Sequence, residues 1–69
     1  MAQVATINFV DQDSKKPGVA MVRVQGDVVG LTLSLEADGD IEVFLGLGEV
    51  DELTRALERA RTLADASLS

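Results

Sequence analysis

From Val4 to Leu47 apolar side chains recur at every second position through four segments, and from Val50 to Ala64 they recur at every third or fourth. Period two belongs to a strand with one covered face, and a period near 3.6 belongs to a helix with one covered stripe. A chain with this single change of period commits its first two thirds to a sheet and its last third to a helix. At 69 residues there is room for one core and no second domain.

The alternation divides into four strands, expected over about residues 4–10, 19–25, 28–36 and 40–47. In the first, Ala5, Ile7 and Phe9 share one face, with Thr6 and Asn8 on the other. The polar stretch from Asp11 to Gly18 carries the only proline and is long for a hairpin connection, so it is expected to be a mobile surface loop. Gly26-Asp27 suits a two-residue type II′ turn, which sets Val24 opposite Val29, Val22 opposite Leu31 and Ala20 opposite Leu33. Every apolar pair then falls on one face, as a half-buried sheet requires.

The next turn, Ala37-Asp38-Gly39, is expected to be a three-residue loop with Gly39 left-handed, pairing Leu35 with Ile41 and Leu33 with Val43. A two-residue loop would place Leu35 opposite Glu42 and turn one apolar set to water. The same register sets Gly30 opposite Gly46.

A helix is expected over about residues 49–66, with Val50, Leu53, Leu57, Ala60 and Ala64 in its stripe and Ala56 and Leu63 widening it. Gly48 is the expected N-cap. Glu49, Asp51 and Glu52 place negative charge at the positive end of the helix dipole, and the pairs Asp51–Arg55 and Arg61–Asp65 stand four residues apart on the polar face. The expected fold class is therefore α+β: a four-stranded antiparallel meander with one C-terminal helix packed on one face, a ββββα two-layer sandwich over residues 1–69. The helix stripe is expected to cover part of the Leu/Val/Ile face.

Composition narrows the function. The chain has no Cys, His, Tyr or Trp, which removes the disulfide staples and the usual zinc, haem and iron-sulfur ligand sets. No cofactor or metal is expected. Asp11, Asp13, Asp38, Asp40 and Glu42 invite a calcium reading, but Lys15 stands where a third oxygen ligand belongs, with no glycine or acid at the required later positions. Gly46-Leu-Gly48-Glu49 resembles a phosphate cradle in outline, yet no lysine follows and the acids at the helix start repel an anion. Without His or Cys there is no base-activated nucleophile, and Lys15 and Lys16 share an open loop, so the chain is read as non-catalytic.

Twelve acidic against six basic residues give a net charge of −6, which opposes a nucleic-acid backbone. The only aromatic residues, Phe9 and Phe44, are too few for a base-stacking surface, so no direct nucleic-acid partner is expected. No stretch reaches the ~18 apolar residues of a membrane span, and the segment from Met1 lacks the pattern of a secretory signal, so no membrane partner and a cytoplasmic location are expected.

A chain of this length buries only about 60% of the surface it exposes when unfolded, and with no covalent staple the common remedy is assembly. The expected role is a small protein-interaction module, homodimeric or bound to another protein. Its candidate interface is the outer sheet face, Val19, Met21, Arg23, Val28, Thr32 and Phe44, which also reads as an ordinary solvated face. The alternative is an acidic decoy or inhibitor, of phage or mobile-element type, whose carboxylates engage the basic groove of a nucleic-acid-handling protein.

Overall fold

The computed structural model describes residues 2–68; Met1 and Ser69, the two ends of the expected single domain, lie outside the described residues. Four strands, β1 (Ala2–Val10), β2 (Pro17–Gln25), β3 (Val28–Leu35) and β4 (Gly39–Leu45), form one antiparallel sheet in the order β1-β2-β3-β4. One helix, α1 (Leu47–Ala66), follows and packs against the sheet at β3 and β4, giving the expected ββββα order.

The β2–β3 hairpin has the register that the alternation demands, with Val24 opposite Val29, Val22 opposite Leu31 and Ala20 opposite Leu33. Gly26 supplies the turn's positive φ of 61°, and Asp27 stays at negative φ, the combination of a type II′ turn. The β3–β4 hairpin differs from expectation. Leu35 pairs with Gly39 and Leu33 with Ile41, two residues short of the expected register. The loop is Glu36-Ala37-Asp38, with Ala37 itself at φ 70° and the Asp38 amide donating to the Leu35 carbonyl at 3.1 Å. A slip of two preserves which face each side chain takes, so the alternation alone does not distinguish the two registers.

The new register moves Gly30 opposite Phe44 instead of Gly46. A Cβ at Gly30 would lie 3.1 Å from the Phe44 ring and 3.2 Å from the Arg23 stem, so the glycine is covered by side chains from both neighbouring strands and presents no bare strip of backbone. The same device recurs on the other face: Phe9 pairs with Gly18, and a Cβ at Gly18 would lie 2.6 Å from the tip of the Phe9 ring. Each of the chain's two aromatic rings therefore fills the space left by a glycine on the adjacent strand.

β1 reaches back to Ala2 because a bulge lies between Gln3 and Ala5, leaving Val4 outside the register. Such a bulge twists an edge strand and blunts it against unwanted pairing. The loop expected to be mobile is tied by its own hydrogen bonds. The Asp11 amide donates to the Lys16 carbonyl at 2.9 Å and the Lys15 amide to the Asp11 carbonyl at 2.8 Å.

The helix begins two residues earlier than expected, with Gly46 as N-cap. The Glu49 carboxylate accepts the Gly46 amide at 3.0 Å, and the Val50 amide donates to the Gly46 carbonyl at 3.1 Å. Glu49 thus serves an orphan amide as well as the dipole. At the other end the Ser67 hydroxyl donates to the Leu63 carbonyl at 3.1 Å. Neither expected helix pair, Asp51–Arg55 or Arg61–Asp65, forms an ion pair among the described residues. Exposed pairs gain little for the entropy of holding two long side chains together.

Gly48 and Gly39 have opposite roles. Gly48 lies in the first helical turn with open space where a Cβ would be, whereas Gly39 holds φ 85°. Gly48→Ala is expected to stabilise the fold by about 0.5–1 kcal/mol and Gly39→Ala to destabilise it by about 1 kcal/mol or more, read from urea unfolding midpoints.

Candidate functional site

The register sorts the sheet into two faces with different chemistry. On one face the cross-strand rows are Ala2-Val24-Val29-Leu45, Ala5-Val22-Leu31-Val43, Ile7-Ala20-Leu33-Ile41 and Phe9-Gly18-Leu35-Gly39, with no polar side chain in any row. On the other face the rows are Gln3-Arg23-Gly30-Phe44, Thr6-Met21-Thr32-Glu42 and Asn8-Val19-Ser34-Asp40.

All six candidate interface residues lie on this second, mixed face or at its hairpin end: Val19, Met21 and Arg23 on β2, Val28 and Thr32 on β3, and Phe44 on β4. Their surroundings differ. Thr32 is 7% exposed and donates its hydroxyl to the Glu42 carboxylate at 2.9 Å. The same carboxylate is ion-paired with the Arg23 guanidinium. Arg23, Thr32 and Glu42 therefore form one linked cluster across three strands, in which the buried Nε of Arg23 has no hydrogen-bond partner; half-buried Val19, Met21 and Val28 flank it, and Phe44 is the most open of the six. The cross-strand pairing of these polar side chains depends on the β3–β4 register, which is why the sequence pattern did not reveal it.

Three acidic residues of the sheet and its loops likewise have local partners. Asp38 pairs with Lys16 at 3.2 Å, joining the β1–β2 loop to the β3–β4 turn, and Asp40 accepts the Ser34 hydroxyl at 2.6 Å. Asp11 accepts the Ser14 hydroxyl at 2.7 Å and the Ser14 amide at 2.8 Å. These bonds, the hydroxyl foremost, hold its carboxyl below the ordinary aspartate range. The loop closure they provide is present above that range and is lost as pH falls through the lowered value. Among the described residues no group of three or more His, Cys, Asp or Glu converges in a way that would hold a metal ion, and no helix is long and apolar enough to cross a membrane.

The dominant surface feature is the apolar face, which the sequence pattern assigned to a core beneath the helix. No apolar side chain among the described residues is fully buried. Ile41 remains 62% exposed and Ile7, Leu33 and Val43 are open to solvent as well. A concave pocket of about 440 Å³ lies at one end of this face, lined by Phe9, Leu33, Leu35 and Ile41 together with Asp11, Asp38 and Asp40. The helix stripe is equally open: Leu57 is 62% exposed, with Leu53 and Leu63 also on the surface. Contact between α1 and the sheet is confined to β3 and β4, so most of the Leu/Val/Ile face lies beyond the helix.

Compared with known proteins, the chain matches no family model, no curated protein and no solved structure.

The mixed-face cluster generates a contrast in stability. Glu42→Ala removes the partner of both buried Thr32 and Arg23 and is expected to cost about 1–2 kcal/mol. Asp38→Ala breaks an exposed pair and is expected to change stability by less than about 0.5 kcal/mol in the same denaturation assay.

Proposed function

We propose that the chain is a non-catalytic, homodimeric protein-interaction module, which self-associates through its apolar sheet face and presents the mixed face, with Val19, Met21, Arg23, Val28 and Phe44, to a protein partner. One observation carries this reading: four complete cross-strand rows of apolar side chains form a face on which none is buried.

Energetics supports assembly. Full burial of a Val, Leu, Ile or Phe side chain contributes about 1.5–3 kcal/mol, and the whole net stability of a domain is about 5–15 kcal/mol. Leaving roughly five such side chains in water removes a term as large as the fold's entire margin. With no disulfide available, burial against another surface is the remaining source.

The dimensions agree. The chain exposes 5432 Å². A compact monomer of 7.3 kDa exposes about 4,200 Å², an excess of about 1,200 Å² per chain. Removal of that excess from two chains buries about 2,500 Å², within the range of obligate homodimers. The radius of gyration, 13.8 Å, exceeds the ~11 Å of a compact chain of this length in the same sense.

Sedimentation equilibrium from low micromolar to millimolar protein is expected to return the mass of a dimer, and a folded, persistent monomer would overturn the reading. Ile41→Glu, on the apolar face, is expected to abolish the dimer and with it the cooperative circular-dichroism melt. Phe44→Ser, on the mixed face, is expected to leave the dimer mass unchanged.

A further inference from the structure

Each chain has two open apolar surfaces, the sheet face and the stripe of α1, and its covalent geometry keeps them apart. Only Gly46 separates the end of β4 at Leu45 from the start of α1 at Leu47. That residue is fixed on both sides of its peptide, by the Glu49 carboxylate on its amide and by the Val50 amide on its carbonyl. A link of one residue, already used as the helix cap, has no slack to turn the helix back over the centre of its own sheet.

The longest dimension reflects this. The molecule is 42 Å long, whereas a 9-residue strand and a 20-residue helix each span about 30 Å, so the helix overhangs the sheet instead of lying centred on it.

We propose that the dimer closes by reciprocal helix exchange, in which α1 of each copy lies across the apolar sheet face of the other and seats Leu53, Leu57 and Leu63 over the row containing Ile7, Leu33 and Ile41. This rests on the self-assembly reading above and specifies its occupant as the helix of a second copy. Three observations favour that occupant over a second sheet.

First, sheet-on-sheet packing leaves both helix stripes in water, whereas exchange covers the face and the stripe of each chain in one twofold-symmetric, closed contact. Second, the excess surface of about 1,200 Å² per chain is of the size that a helix and a sheet face together supply to an obligate dimer. Third, the charges are complementary. The pocket at the end of the face includes Asp11, Asp38 and Asp40, of which only Asp38 is paired with a cation, so this end of the face carries net negative charge. From Leu53 to Ala64 the helix carries Arg55, Arg59 and Arg61 against the single acid Glu58, and at 100° per residue Arg59 and Arg61 flank the apolar stripe on opposite sides.

The absence of cysteine makes the arrangement directly readable. Leu57→Cys in one full-length chain and Leu33→Cys in a second chain bearing a mass tag are refolded together and oxidised. A reducible band of mixed mass is expected on a denaturing gel. A second pair, Ala60→Cys with tagged Ala20→Cys, alters side-chain volume little and gives the same readout should the first pair fold poorly. A Leu33→Cys chain linked only to its own kind signifies sheet-on-sheet packing and overturns the exchange, as does a dimer in which neither pair gives the mixed band. Sedimentation of the unsubstituted chain separates the two levels: a monomer overturns self-assembly itself, whereas a dimer without the mixed band overturns only the exchange.

Discussion

The structure depends on the disposition of one apolar surface. Sixteen positions across four strands share a face with no polar side chain among them, and the hydrophobic effect that should stabilise the fold acts only when such a face leaves water. The helix that shares the chain touches the sheet at β3 and β4 alone. The cause is local: Gly46 is both the strand-to-helix link and the helix cap, and its hydrogen bonds to Glu49 and Val50 set the direction in which the helix leaves. The helix cap thereby sits at the point where the chain passes from the sheet to the helix.

The remainder of the sheet has the features of a preformed platform. Both hairpins are tight, the two phenylalanine rings fill the spaces over Gly18 and Gly30, and the Arg23–Glu42–Thr32 cluster locks three strands on the opposite face. At the far end the Asp11–Ser14 bonds and the Lys16–Asp38 pair tie the two longer connections together. These interactions engage several polar groups of the mixed face and of the turns within one chain, whereas the apolar face and the helix stripe remain uncovered.

Several elements were legible in the sequence, and the reason is that each rests on short-range geometry. The Gly26-Asp27 turn, the pairing of Val22 with Leu31 and the face taken by every residue of β2 and β3 follow from two-residue alternation about a glycine that tolerates positive φ. The β3–β4 register did not follow, because Leu35 opposite Gly39 and Leu35 opposite Ile41 place the same side chains on the same faces. The helix start was displaced for a related reason: Gly46 and Gly48 are equally plausible caps by residue type, and Glu49 selects Gly46 by standing three residues beyond it. The six candidate interface residues were placed correctly on one face, yet the burial of Thr32 and the pairing of Arg23 depend on a register that the pattern left open.

By itself the sequence determined the four strands, the helix, their antiparallel order and the separation of an apolar face from a mixed one, since backbone hydrogen bonding and side-chain period are properties of neighbouring residues. Only the tertiary structure decided whether the helix covers that face, which aromatic ring fills which glycine space, and which acids are already engaged by Lys16, Arg23, Ser14 and Ser34. Those outcomes depend on the direction of the chain at one residue, Gly46, and on contacts between strands distant in sequence. Periodicity shows that a surface is apolar, but what covers it is set by the path of the chain in three dimensions.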